Sequence, residues 1–506
     1  DWYWIPSRAI PGSPITEFPF FTFLYADLHA HLMALPLTAL ALIWALAVIQ
    51  GRWQWTKLQF CAAFLLGGLA IGALRPTNTW DLPAFMAFGA LAVIYAALRS
   101  ENPLGGILVN TPVWTRRALS ALFSAALLVA LAIALYLPYA YWYVQPFTSI
   151  GVLEVDERTP IWSYLTHWGL FLFVVFSWMF WETVDWMAKT PLSHARRYFQ
   201  WLQVMVMAVV MATAALLLLR VEIAVLALPM AAWAAVLLFR PGQPDHKRVT
   251  LFLIGSGLFL TLMVEVVVLR GDITRMNTVF KFYLQAWTML SLAAAASLVW
   301  LLPVVSKVWR PGWRNAWQTA LLALVIGAAL FPLLGGTDKI RDRMSAEAPL
   351  TLDGMTFMDY STYHDFGQAI DLSEDYRAII WMQENVAGSP VIVEGHVSEY
   401  RWGSRFTIYT GLPGVVGWNW HQRQQRGVVS STWVTDRVAQ IGEFYETTDM
   451  TIAENFIRRY DVEYIIVGLY ERAMYSALGL EKFEAWDGIL WDEVYRDGGT
   501  VIYKVR

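Results

Sequence analysis

Asp27, His29 and His31 alternate with Leu28 and Ala30 at the mouth of a long apolar run. If this stretch is extended, all three polar side chains share one face; if it is helical, Asp27 and His31 still do, at i and i+4. A carboxylate beside two imidazoles can carry protons or ligate a divalent cation, and ionisable groups at a membrane span are functional candidates by default. The plainer reading is an interfacial helix start, which Asp favours electrostatically.

Two further polar groups break apolar surroundings. Arg75-Pro76-Thr77-Asn78-Thr79-Trp80-Asp81 is a compact polar turn between two apolar runs. Arg270 to Lys281 holds Asp272, Arg275 and Asn277 and leads into another run, while Glu265 interrupts the run before it. Arg offers a two-pronged grip on phosphate oxygens, Lys adds a point charge and a helix N-terminus adds free N–H groups. Arg275, Asn277 and Lys281, with Arg75, are therefore expected to bind phosphate at the membrane surface. Snorkelling to headgroups accounts for Arg270. The acidic stretch Glu154–Glu157 reads as a solvated loop, and Arg220 and Glu222, which bracket a turn, as an interfacial pair. Gly395–Gly427 is dense in Trp, Arg and His, including Arg405, Trp418 and His421. Such residues suit carbohydrate faces or lipid phosphates, and equally the docking of one part of the chain on another. Asn78 and Asp81 are further candidates for contact with substrate.

The elements that must position these groups are mostly apolar helices. Of 506 residues 57% are hydrophobic and 15% charged, with 27 Trp, which points to a polytopic membrane protein. Ten spans are expected near 32–50, 58–74, 81–98, 118–137, 163–182, 201–219, 223–239, 249–269, 279–302 and 317–335. Residues 1–31 form a loop with an interfacial aromatic segment, 32–336 a helical bundle and 337–506 a soluble α/β domain. In that domain helices are expected over Glu374–Val386 and Thr451–Tyr460, and strands over Pro390–Glu394, Arg405–Tyr409 and Val462–Val467. A hairpin is expected around Asp497-Gly498-Gly499.

Charge asymmetry orients the bundle. Alternate loops carry Arg52 and Lys57; Arg99, Arg116 and Arg117; Lys189, Arg196 and Arg197; Arg240, Lys247 and Arg248; Lys307, Arg310 and Arg314. The others carry only Arg75, Arg158, Arg220, Arg270 and Arg275. The positive-inside rule makes the first set cytoplasmic, so Asp27, His29, His31 and the C-terminal domain are expected outside the cytoplasmic membrane. Soluble nucleotide donors are then out of reach. A net charge of −3 without a basic arm gives no sign of nucleic-acid binding, and the lone Cys61 excludes an intrachain disulfide. The sequence opens at Asp1 rather than Met, and further helices are expected upstream. There is no nucleophile elbow, P-loop, HExxH or CxxC, and Gly67, Gly68 and Gly72 read as helix-packing positions.

The stretches DWYWIPSRAIP, ITEFPFFTFLYADLHAHLMALP, RPTNTWD, RMNTVFKFYLQAW and PLTLDGMTFM resemble the prokaryotic multi-pass proteins called the YYY membrane proteins. The layout, and the ending VEYIIVGLYERAMY…LWDEVYRDGGTVIYKV, are more distantly similar to C-type (GT-C) membrane glycosyltransferases. That resemblance implies transfer of a sugar from a polyprenyl-phosphate donor to a glycan, lipid or protein acceptor outside the membrane. It places Asp27 as base or metal ligand, with Asp1 in reserve. His29 and His31 would orient Asp27 or join it around Mn, Mg or Zn, although DLHAH departs from the paired-acid and Asp-x-Asp patterns of that family. Arg75, Arg275 and Lys281 would face the departing phosphate, and Phe18–Tyr25 would guide the lipid. The alternatives are a transporter with Glu265, Arg270 and Lys281 along a pathway, a lipid- or polymer-binding module without catalysis, and a metal-dependent membrane hydrolase.

Overall fold

The computed structural model describes residues 2–12, 14–26, 28–51, 55–100, 110–143, 149–191, 199–270 and 273–506. Asp1, Asp27 and Asp272 lie outside the described residues, and with them the expected base and its reserve. The chain divides into one unit drawn from the residues up to Lys339 and another built on Ile340–Arg506.

Within a bilayer every backbone N–H and C=O needs an internal partner, and helices supply it. Among the described residues eight helices are long and apolar enough to cross a membrane: Ala30–Gly51, Lys57–Thr77, Asp81–Arg99, Val113–Ala134, Ile161–Lys189, Phe199–Leu218, Thr274–Lys307 and Pro311–Arg343. Two more expected spans form helices that differ from these. Ala224–Phe239 has only 16 residues. Asp245–Met263 opens with Asp245-His246-Lys247-Arg248, which places charge in its first turn.

Close packing follows the small residues. A Cβ on Gly67 would strike the Trp44 ring at 2.4 Å, and one on Gly72 would strike the Ala132 carbonyl oxygen at 2.5 Å. These glycines therefore let the Lys57–Gly72 helix lie directly against two neighbours. Trp44 is fixed by its Nε1, which donates to the Ala63 carbonyl at 2.7 Å.

The expected span 249–269 is shorter than its apolar run. Its helix stops at Met263, and Val267–Arg270 forms a strand, β2, antiparallel to β1, Ser149–Val152. Glu265 consequently lies beyond the helix. A short β-branched run is ambiguous by periodicity, and cross-strand pairing decided it. Nor are Arg220 and Glu222 a pair: Glu222 accepts from the Ile161 N–H at 2.9 Å, and Arg220 lies 3.9 Å from Asp156. Residues 154–157 are all exposed, in keeping with a solvated loop.

At the end of the bundle that carries Arg99, charges pair off. Asp245 accepts from Tyr95 Oη at 2.8 Å and bonds Arg99, and buried Glu182 is bonded by Lys247 and lies 3.7 Å from Arg240.

The second unit holds a hairpin of β3 (Thr362–Asp365) and β4 (Gln368–Asp371), and a sheet of β5 (Val391–Val393), β6 (Val462–Val467), β7 (Trp491–Asp497) and β8 (Thr500–Val505) in the order β5-β6-β8-β7. β5 and β6 are parallel, and β7–β8 is the expected hairpin. The expected helices appear as Leu372–Asn385 and Met450–Tyr460. The expected strand Arg405–Tyr409 is instead the helix Arg405–Thr410, closed by Gly411 at φ 75°.

The reason is electrostatic. Arg405 is 1% exposed, and it lies at the ends of the parallel strands. Its Nε donates to Asp375 at 2.6 Å, and its two terminal nitrogens donate to Glu471 at 3.0 and 2.8 Å. Glu394 is 3.5 Å away. Burial alone would lift the Glu471 carboxyl, but Arg405 and the N–H groups of Gly395 and Gly468 hold it below the usual carboxylate range. For Glu394 burial wins over Arg405 and the Phe406 and Thr407 amides, and its pKa rises.

Replacing Arg405 with Leu strands these buried carboxylates and lowers stability of the second unit by about 3–5 kcal/mol, read by proteolysis of 340–506 in full-length protein under increasing denaturant. Arg405→Lys recovers little, because one ammonium cannot make the two-pronged contact with Glu471.

Candidate functional site

His31 lies in the first turn of Ala30–Gly51 and is 5% exposed. Its ring meets Phe280 edge to face, with centroids 4.4 Å apart, and its Nε2 is 3.6 Å from a carboxylate oxygen of Glu17. His29 precedes the helix, is exposed, and has its ring centroid 5.4 Å from that of His31. The turn that brings the chain into this position is made by Ala26 at φ 58°, which closes the short helix Pro19–Tyr25.

Phe280 and Lys281 come from the Thr274–Lys307 helix. Lys281 lies in the second turn of that helix. Its charge acts on both His31 and Asp81. Asp81 opens the helix Asp81–Arg99 and is 5% exposed. It accepts from Asn78 Nδ2 at 3.0 Å, and Gln285 lies beside it with its Nε2 donating to the Trp80 carbonyl at 2.9 Å. Lys281 and Gln285 are four residues apart on one helix face, so one face carries both the cation that acts on Asp81 and the amide beside it. Arg75 lies in the turn Leu74–Thr77 just before Asn78, where its carbonyl accepts from Thr79 Oγ1 at 2.7 Å.

The structure separates Arg275 from this group. Six residues along a helix turn the side chain by roughly 120°, and Arg275 faces the other way. It is 6% exposed, donates to Thr159 Oγ1 at 2.9 Å and lies 3.5 Å from Glu265. Glu265 is fully buried and accepts from the N–H and Oγ1 of Thr159 at 2.7 and 2.5 Å. This is an internal ion pair that ties two loops together. Its burial sets Arg275 apart from the expected phosphate contacts and Glu265 apart from a pathway wall. Asn277, at i−4 from Lys281, stays on the face of Lys281.

A cavity of about 220 Å³ opens beside His31, lined by Trp4, Arg8, Ile15, Glu17, Thr22, Tyr25, His29, His31 and Phe280. Around it lies an apolar fringe in which Trp2, Ile5, Phe20, Phe23 and Leu28 are all exposed. Lys339 pins the fringe from behind: its Nζ lies 4.4 Å from the Tyr3 ring centroid, 5.5 Å from that of Trp4 and 5.2 Å from that of Tyr25. A cation above three aromatic rings draws them together electrostatically and so holds the N-terminal segment.

In the second unit Trp418 and His421 do meet. Tyr400 Oη is 3.0 Å from His421 Nε2, and the Trp418 ring packs on both, with centroids at 5.2 and 5.4 Å. Nearby, burial lowers the His396 pKa against the opposing effect of Glu399. Arg405 has no part in this patch, since its donors are taken by the carboxylates described above. Among the described residues no three His, Cys, Asp or Glu side chains are gathered so as to hold a metal ion, and Asp27 is not among them.

Sequence spacing pointed to His29, His31, Asn78, Asp81 and Lys281, which come together, but passed over Glu17, Thr22 and Gln285. Gln285 could have been found from its i+4 relation to Lys281. Glu17 carried a weaker signal, as the one acid among aromatics.

Asp81→Ala leaves Asn78 without its buried acceptor and lowers bundle stability by about 1–3 kcal/mol in mixed-micelle unfolding. Arg75→Ala, at a half-buried position, changes it by no more than about 0.5 kcal/mol.

The comparisons with known proteins agree with the architecture. No curated protein matches the chain. The family described as Uncharacterized membrane protein (DUF2298) matches residues 1–290, which takes in the aromatic fringe, His29, His31, the Asn78–Asp81 turn and Lys281. With more than half its length matched, and with its apolar helices, this chain is a multi-pass membrane protein belonging to that family.

Proposed function

We propose that the protein is a glycosyltransferase of the cytoplasmic membrane, moving a sugar from a polyprenyl-phosphate donor to an acceptor glycan, lipid or protein on the outer side. The observation that carries this reading is the Lys281 ammonium, 5.1 Å from the Phe280 ring centroid, and the His31–Glu17 pair at a small cavity with exposed aromatic side chains around it. A lipid-linked phosphate needs a cation at the depth of the headgroups, an apolar surface for its chain and a compact polar space for its sugar. The positive-inside asymmetry supports the outward sidedness of this end and of the C-terminal unit.

In the reaction the bond between the sugar's anomeric carbon and the phosphate oxygen breaks, and the phosphate leaves with the electron pair. The acceptor hydroxyl forms the new bond and gives up its proton. Lys281, with Arg75 and Asn277 on the approach, stabilises charge on the leaving phosphate, usually the larger electrostatic effect. Asp81, within range of the Lys281 charge, moderates it. Asp27 takes the acceptor proton, a role that rests on the sequence and the resemblance. His29 orients it, and Glu17 orients His31. No step is routed through a metal. The aromatic patch at Trp418 and His421 suits an acceptor sugar. The transport reading has less support, because Glu265, one of its three residues, is sealed inside an ion pair.

The test is turnover in nanodiscs with radiolabelled polyprenyl-phosphate sugars and an envelope extract as acceptor. Lys281→Ala lowers transfer by about 10²–10³-fold, and Asp27→Asn by about 10²–10⁴-fold, with both variants still folded by size-exclusion profile. Chelator leaves the rate unchanged if the reaction runs as written and abolishes it if the histidines hold a required cation. Full transfer by Asp27→Asn, or flux of intact lipid without covalent product, contradicts the proposal.

A further inference from the structure

Among the described residues, two buried polar atoms on residues lining one cavity have no hydrogen-bond partner. Thr22 is 2% exposed and its Oγ1 is unpartnered; His31 is 5% exposed and its Nδ1 is unpartnered. Both residues line the 220 Å³ cavity at the His31 end. Such groups are rarely left unsatisfied, because burial removes their water without replacing it. Thr22 makes the point clearly. A helical threonine usually bonds back to the carbonyl four residues earlier, as Thr166 does to Trp162 and Thr278 does to Thr274. Thr22 does not, although its own N–H donates to the Phe18 carbonyl.

The remaining lining narrows what could satisfy these atoms. Arg8 and Glu17 bring one formal charge of each sign, so the cavity as a whole does not select an ion. The hydroxyl can donate or accept, the imidazole nitrogen adds a second polar contact, and Glu17 is an acceptor. Trp4 and Phe280 add ring surface for an apolar face. The volume lies below the range of about 300–1,000 Å³ typical of drug-sized ligands, so a nucleotide does not fit. The Lys281 ammonium lies 5.1 Å from the ring centroid of Phe280, which lines the cavity, so a phosphate held by Lys281 adjoins whatever the cavity holds.

We infer that this cavity is the subsite for one neutral, hydroxyl-rich ring, the hexose of a lipid-phosphate donor, with Thr22 and His31 Nδ1 bonding its hydroxyls. The inference rests on the glycosyl-transfer reading for the attached lipid, but its own residues can be tested separately. Thr22→Val removes the hydroxyl at nearly constant volume, and Thr22→Ser restores it.

Full-length protein in nanodiscs is titrated, by native mass spectrometry, with polyprenyl phosphate and with the same lipid bearing one hexose. The wild type prefers the hexosyl lipid by about tenfold, the worth of one well-made buried hydrogen bond. Thr22→Val brings that preference toward parity without changing affinity for the bare lipid, and Thr22→Ser keeps it. An unchanged preference in Thr22→Val, or equal weakening toward both lipids, overturns the subsite. If the wild type binds neither lipid, the donor reading fails and methyl hexosides decide the cavity by saturation-transfer NMR. A Thr22-dependent signal then supports a sugar subsite, and no signal from the wild type overturns it.

Discussion

Lys281 carries an ammonium group two helical turns into the end of an apolar bundle, and the cost of drawing that charge out of water organises what surrounds it. A buried cation needs an anion and hydrogen-bonding groups close by, or it is better neutralised. Asp81 lies within range of that charge, which acts on its carboxylate. Asn78 bonds Asp81 and Gln285 lies beside it, and Gln285 belongs to the helix that carries Lys281, so the arrangement closes on itself. Four chain segments are thereby fixed at one end of the bundle: the turn before Asp81, the start of the His31 helix, the Thr274–Lys307 helix and the loop bearing Glu17. Glu265, Arg275 and Thr159 form a second such arrangement, fully enclosed. The two differ in what lies next to them. Next to Phe280, whose ring lies 5.1 Å from the Lys281 ammonium, there is an open cavity of about 220 Å³; the Glu265–Arg275 pair is enclosed and ties loops together, with two Arg275 nitrogens left unsatisfied.

An open cavity marks the one as a candidate site and enclosure marks the other as structural, in a protein rich in buried charge. Arg405 and its three carboxylates belong with Glu265. They join the ends of two parallel strands to the helix that follows β4, and they do so at the edge of a sheet where ligands often bind in open α/β folds. Here the protein's own guanidinium occupies that edge. The aromatic patch around Tyr400, with its ring and hydroxyl turned outward, is the surface the second unit leaves for recognition.

Much of the architecture was legible in the sequence because apolar runs of spanning length have few other uses. The limits were local. Val267–Arg270 continues an apolar run, and nothing in its period told a helix end from a strand that pairs with Ser149–Val152. Arg405–Tyr409 has the β-branched and aromatic content of a strand, yet a buried guanidinium that must reach three carboxylates dictated a helix. For the site, spacing within one segment exposed His29 and His31, and a charge interrupting an apolar run exposed Lys281. That these residues meet, across about half the chain, was beyond any local pattern. The grouping of Arg275 with Lys281 failed for a related reason: sequence proximity is not a shared helix face.

The central claim is that the polar cluster of His31, Asp81 and Lys281 faces outward, since sidedness decides between a lipid-phosphate donor and a cytoplasmic nucleotide. The most direct measurement places a single cysteine at exposed Leu28 in a Cys61→Ser background and labels intact cells with a membrane-impermeant maleimide. The account predicts labelling from outside, with no further gain on opening the cells. Labelling only in opened cells or inverted vesicles would put the cluster on the cytoplasmic face and contradict it.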